Sequence, residues 1–256
     1  MRSLHLRALL VACLLPLLVQ AQLLTGEKAK SQFPGAITVR LDDGNPVPQF
    51  VRFSVHQHFD TEAVFHWLRK ATQLDERTTF EYLNTERDQL GMKHHRYQQL
   101  FEGIPVHAGT LILHEQNGRV RSINGELFAL DARSISTGIN AQDIVEKALH
   151  HYPAQQYAWE VGTAHRAGPL ATPPEGKLVW VSEGLSFETE DFQLAYELDI
   201  YAIRPHLHRR IWLDVNTGME IAGEHRSCHT ATPGTAQTMF SGARPLRFAA
   251  RRIWPQ

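Results

Sequence analysis

The spacing of hydrophobic residues changes period several times along the chain, and each change predicts an element. Residues 51–59 have strand character. From Asp60 onward, Val64, Trp67, Leu68, Ala71 and Leu74 share one helical stripe behind an Asp60/Thr61 start. Between Lys93 and Ile123 the pattern is that of strands, interrupted at Gly103, at Pro105 and at Asn117-Gly118. The Asn-Gly pair between apolar runs is a type I′ hairpin signal, because both residues tolerate positive φ. These features predict an antiparallel meander with the helix packed on one face.

A second segment repeats the style. Ser136 to Gly138 punctuate its start, Asn140 is placed to cap a helix, and Ile144, Val145, Ala148 and Leu149 form the stripe that Pro153 closes. A Pro/Gly-rich loop at 167–176 precedes strand-like runs at 177–182, 193–202 and 209–215, the last turning through Asn216-Thr217-Gly218 into 219–223. Leu194, Tyr196, Leu198 and Ile200 alternate with polar residues, as in a half-buried antiparallel strand. The expected fold class is α+β, with two consecutive modules that each pack an antiparallel sheet against a helix.

Composition narrows the function little. The chain has 256 residues, 43% hydrophobic and 21% charged, ordinary for a globular protein. Its 26 basic and 27 acidic residues leave no net basic field, so nucleic acid is not an expected partner. Residues 1–21 read as a secretory signal: Arg2 and Arg7 supply the positive start, an apolar run follows, and Ala21/Gln22 is the expected cleavage point. That places the mature chain outside the cytoplasm, secreted or periplasmic. No other run is long and apolar enough to predict a transmembrane segment. Of the two cysteines, Cys13 leaves with the signal, so Cys228 has no partner within one mature chain and no disulfide framework is expected.

The candidate chemistry is mostly negative. His114-Glu115 resembles the start of H-E-x-x-H, the zinc-protease motif in which two imidazoles one helical turn apart share a metal. Here, however, the fifth position is Gly118, and the dipeptide is expected to end a strand. His56-x-His58 and His206-x-His208 would put two rings on one side of a strand, and His225-x-x-Cys228-His229 groups three potential ligands. Local sequence fixes no further ligand for these groups, so no metal and no cofactor is expected in this chain. Asp42, Asp43, Glu188, Glu190 and Asp191 fall in polar loop-like stretches and read as solvated charge. No nucleophile elbow, P-loop or dinucleotide fingerprint occurs.

Several words do carry a resemblance. His95-Arg96-Tyr97-Gln98-Gln99, Gly103-Ile104-Pro105-Val106, and then His114, Gly118, Val120 and Ile123-Asn124-Gly125 together resemble the fungalysin/thermolysin propeptide domain of secreted M4-type metalloproteases. Residues 194–198 and Trp212-Leu213-Asp214-Val215-Asn216-Thr217-Gly218 resemble a PepSY domain, in which Asp and Asn would accept local backbone hydrogen bonds and Gly supply positive φ. Residues 234–242 look like the first strand of a mature M4 peptidase, a likeness that stops near Leu246. The implied organisation is a signal at 1–21, a propeptide-like domain at 22–131, a PepSY-like domain at 132–226, and a connector with a truncated peptidase start at 227–256.

The resemblance implies an intramolecular chaperone and inhibitor whose partner is the catalytic domain of a cognate thermolysin-like metallopeptidase. That domain would hold zinc and often calcium, and the chain itself, ending before an H-E-x-x-H helix, would not be an enzyme. A truncated or frameshifted gene is the expectation for the final residues. Arg96, Tyr97, Gln98, Gln99, Gly103, Ile104, Pro105, Val106, Asn124 and Gly125 would hold the pro-region together and against its partner, with Tyr or Arg as suitable surface anchors. The polar stretch containing His225, Cys228, His229 and Pro233 is the expected processing connector. A free-standing inhibitory or binding module, and a histidine-based metal carrier, remain as alternatives.

Overall fold

The computed structural model describes residues 22–42, 45–72, 74–130, 135–161, 172–186 and 191–226, together with the backbone of 229–238 and 242–251. The expected signal peptide, including Ala21, lies outside the described residues, as do Asp43, Glu188, Glu190 and Cys228.

The chain opens with β1 (Gln22–Thr25), α1 (Gly26–Gln32) and β2 (Ala36–Leu41), continues through β3 (Phe50–Phe53) to α2 (Thr61–Ala71), and then forms β4 (Thr78–Arg87), β5 (Lys93–Phe101), β6 (Ile104–Gln116) and β7 (Arg119–Glu126). After α3 (Ala141–His151) come β8 (Gln156–Tyr157), β9 (Lys177–Ser182), β10 (Phe192–Arg204), β11 (Leu207–Asp214) and β12 (Glu220–His225). A separate antiparallel hairpin, β13 (His229–Thr238) and β14 (Gly242–Arg251), ends the described backbone.

Both predicted helices form where their caps stand. Asp60 accepts a hydrogen bond from the Ala63 N–H at 2.8 Å, and Asn140 from the Asp143 N–H at 2.9 Å, each satisfying a first-turn donor that the helix leaves open. The strand expected at 51–59 stops at Phe53 because the Gln57 N–H closes a turn onto the Ser54 carbonyl at 3.0 Å. Asn117 and Gly118 have φ of 53° and 75°, the conformation a two-residue hairpin turn requires. His114 and Glu115 therefore end β6, not a helix.

All but one of the strand pairings described are antiparallel. The first sheet runs β1-β2-β3-β7-β6-β5-β4, and the second runs β9-β10-β11-β12 with β8 beside β10. They are joined where Val106 of β6 pairs with Trp180 of β9 in the parallel sense. α2 turns Val64, Trp67 and Leu68 onto Val51, Phe53, Leu111, Leu113 and Ile123 of the first sheet. α3 turns Ile144 and Ala148 onto Trp180, Leu194, Leu198, Ile211 and Leu213 of the second.

The two-module α+β description therefore holds, with one addition. Phe101, Val106, Phe128 and Leu130 belong in sequence to the first segment yet pack in the core of the second. The packing crosses the division expected after residue 131. Trp180 sits at this junction, 1% exposed, with its ring edge-on to Phe101 at 5.7 Å and its indole N–H donating to the Phe101 carbonyl at 3.1 Å.

Candidate functional site

The words singled out in the sequence converge on β5, β6 and β7, where alternation divides them between two faces. Cross-strand pairing puts Arg96, Ile112 and Asn124 in one row, with His94, His114 and Ser122 in the next, all on the face away from α2. These side chains are half-buried. A hydrogen-bonded line crosses this face: the Asp88 carboxylate meets His94 Nε2 at 3.3 Å, His94 Nδ1 meets His114 Nδ1 at 2.6 Å, and His114 Nε2 reaches Asn124 Oδ1. On the opposite face the Lys93 ammonium donates to Glu115 at 2.8 Å, with His95 contacting the same carboxylate at 3.1 Å, and together they hold that carboxyl below the usual carboxylate range despite partial burial. His114 and Glu115 thus serve separate networks on opposite faces of one strand.

Tyr97 and Gln99 point inward, which corrects the expectation of a surface anchor at Tyr97. Tyr97 is 8% exposed and meets Phe65 of α2 edge-on at 5.0 Å, and burial raises its phenol pKa. Gln99 is fully buried. Its amide donates to the Phe128 carbonyl at 2.7 Å and its Oε1 accepts the Phe128 N–H at 3.0 Å, so both polar ends are satisfied. Gln98 donates to the carbonyls of Val106 at 2.7 Å and Gly109 at 2.9 Å. Those carbonyls belong to an irregularity in β6, where the register with β5 shifts and Ala108 takes φ of 61°.

The glycine and proline words are structural. Glu102 and Gly103 make the β5–β6 turn with φ of 50° and 77°, and Ile104, Pro105 and Val106 begin β6. Gly125 lies so close to β6 that a Cβ there would stand 1.9 Å from the Thr110 carbonyl oxygen. In the Asp214-to-Gly218 turn, burial of the Asp214 carboxyl is outweighed by the Thr217 hydroxyl and the Thr217 and Asn216 N–H groups, which hold its pKa low. Asn216 acts at long range instead of locally, accepting the Gly138 N–H at 3.1 Å and so fastening the lead-in to α3.

His225 ends β12, whereas His229 and Pro233 lie in β13, whose pairing with β14 begins at His229. Gln22 begins β1. His56, His58 and His206 are exposed, and among the described residues no three His, Cys, Asp or Glu side chains stand close enough to hold a metal ion. Of the loop carboxylates, Asp191 accepts the Ser186 hydroxyl at 2.8 Å. No helix among the described residues is long and apolar enough to cross a membrane.

Comparison with known proteins agrees with this geometry. Residues 78–127, which comprise β4 to β7, match the Fungalysin/Thermolysin Propeptide Motif. The chain is 27% identical over 158 residues to a bacillolysin of Bacillus amyloliquefaciens, covering 59% of this chain and 28% of that protein. It is 24% identical over 196 residues to a bacillolysin of Bacillus subtilis strain 168, covering 73% of this chain and 36% of the relative. It thus spans about a third of the curated relatives it matches. The Bacillus megaterium YpeB C-terminal domain overlays 82% of this chain and 91% of its own at 12% identity, with a TM-score of 0.34. The β4–β7 meander matches the fungalysin/thermolysin propeptide motif, and the chain that carries it resembles a pro-region of the M4 metallopeptidases.

Proposed function

We propose that this chain is the exported pro-region of a thermolysin-like zinc metallopeptidase and acts on that peptidase as a folding assistant and inhibitor. The observation that carries the reading is the propeptide motif on residues 78–127, set in a chain similar to bacillolysins. A partner that binds the native enzyme and not the unfolded chain shifts folding toward the native state, by about 2.7 kcal/mol when it is present at 100 times its Kd.

In this scheme the residues divide by role. Tyr97, Gln98, Gln99, Gly103 and Gly125 hold the meander in shape. Arg96 and Asn124, with His94 and His114, stand on the face of β5–β7 offered to the peptidase. The stretch from His225 to Pro233 is the segment cut on activation. The zinc and calcium of the family belong to the catalytic partner.

The test is inhibition and assisted refolding in trans. The purified chain is added to a thermolysin-like metallopeptidase from the same source, both to the mature enzyme and to enzyme diluted from denaturant. The expected result is saturable inhibition at one chain per enzyme and a higher recovered yield of active enzyme. Unchanged activity and unchanged yield at a large excess of the chain would overturn the reading.

A further inference from the structure

We propose that the cleft between the end of α1 and the outer flank of α2 is a binding site for a small amphipathic carboxylate, a ligand with one aryl or short alkyl body and one anionic head. The cleft lies apart from the β5–β7 face and does not depend on the pro-region reading. Its cavity volume is about 500 Å³, within the roughly 300–1,000 Å³ of small-molecule sites.

The walls follow from how α2 is used twice. Val64, Trp67 and Leu68 serve the core, while Ala63, His66, Trp67, Lys70 and Ala71, spaced three and four apart, line the cleft. Trp67 is shared and held rigidly. Its indole N–H donates to the Pro34 carbonyl at 2.6 Å, and its ring stands edge-on to Phe53 at 5.0 Å. The far wall is Phe59, whose ring packs edge-on to Phe53 at 4.9 Å and whose carbonyl accepts the Val120 N–H at 2.8 Å. Gln57 lies across Gly35, where even a Cβ would come within 3.2 Å of it. A pocket held open by a fixed indole and a pinned phenyl loses little freedom on binding.

The chemistry of the lining selects the ligand. Its apolar surface comes from Pro34, Phe59, Ala63, Trp67 and Ala71, its neutral polar groups from Gln32 and Gln57, and its ionisable groups among the described residues are Lys70 and His66. No carboxylate lines it, and Lys70 makes no ion pair among the described residues. Glu62, one turn before His66 on α2, stands outside the lining. An unmatched ammonium at the mouth of an apolar cleft favours one negative charge placed at the edge of a hydrophobic body.

The test titrates the purified full chain with 3-phenylpropionate by calorimetry, and in parallel with its uncharged amide. The expected result is saturable one-to-one binding of the acid, with the amide and the Lys70→Gln variant each binding about tenfold more weakly. Ala63→Phe, which fills the cleft, is expected to abolish binding while leaving the thermal transition in place. Lys70 is exposed, so its replacement leaves the fold intact, and the acid-versus-amide comparison needs no variant. Equal binding of acid and amide, unchanged binding in Lys70→Gln, or no saturable heat from the acid would overturn the assignment.

Discussion

Gln99 holds Phe128 by both of its backbone polar groups, across 29 residues of sequence. The pair ties the end of β5 to the segment leaving β7, and it does so inside the core, where no water replaces a lost bond. Gln99→Leu keeps the volume and withdraws both hydrogen bonds, so it is expected to destabilise the chain by on the order of 3 kcal/mol. Urea unfolding followed by far-UV circular dichroism measures this as a lower midpoint at unchanged slope. A midpoint within error of the wild type would show that Gln99 contributes nothing beyond its packing.

Gly125 and Gly118 separate two reasons for a glycine. Both have positive φ, 154° and 75°, but an added Cβ at Gly118 meets nothing within 4 Å, while at Gly125 it strikes the Thr110 carbonyl. Gly118→Ala is expected to cost about 1 kcal/mol, the penalty of left-handed backbone alone. Gly125→Ala must also push β7 away from β6, and is expected to cost more than about 3 kcal/mol or to prevent soluble accumulation. Melting temperatures of the two variants, compared side by side, decide it.

What the sequence made legible follows from where the determining forces are local. The caps at Asp60 and Asn140, the helical stripes and the Asn117-Gly118 hairpin act within a few residues, and each element appears where the pattern puts it. The pattern does not predict β1, α1, β2 or β4. α1 has a single buried residue, Ala29, and β4 is an edge strand exposed along most of its length, so neither shows an apolar period. The inward turn of Gln99 was hidden for a different reason. A glutamine on a strand reads as solvent-facing until its partner, Phe128, is known, and that partner is specified only by the tertiary fold. The cleft beside α2 is likewise hidden from the pattern, because Pro34 is brought to the helix by the pairing of β2 with β3.

Trp180 tests whether the two sheets unfold together. It lies in a core that mixes Phe101, Val106 and Phe128 with residues of β9 to β11, and it donates to the Phe101 carbonyl. Trp180→Ala is expected to cost about 3–5 kcal/mol. Hydrogen exchange is the sharper readout: protection should fall in both β5–β6 and β9–β11. A loss confined to β9–β11 would mean that the modules are energetically separate despite their shared core.

Acid sensitivity should come from two half-buried imidazoles. His107 stands edge-on to the fully buried Trp212 at 4.7 Å, and burial lowers its pKa below the ordinary 6.5, with Glu197 and Glu224 opposing the shift and Arg210 and Arg226 adding to it. Burial lowers the pKa of His208 in the same way, with Asp199 opposing and Arg226, His206 and Arg210 adding. The unfolded chain therefore takes up protons at these sites near pH 6.5, while the folded chain does so only at lower pH. In that window the unfolded state binds more protons, so stability is full above pH 6.5 and declines as the pH falls through the folded pKa values. Urea midpoints measured from pH 7.5 to 5 should decrease, and His107→Gln should flatten the decrease by removing one of the two protons taken up. A midpoint that stays constant over this range, or a slope unchanged in His107→Gln, would remove His107 as the cause.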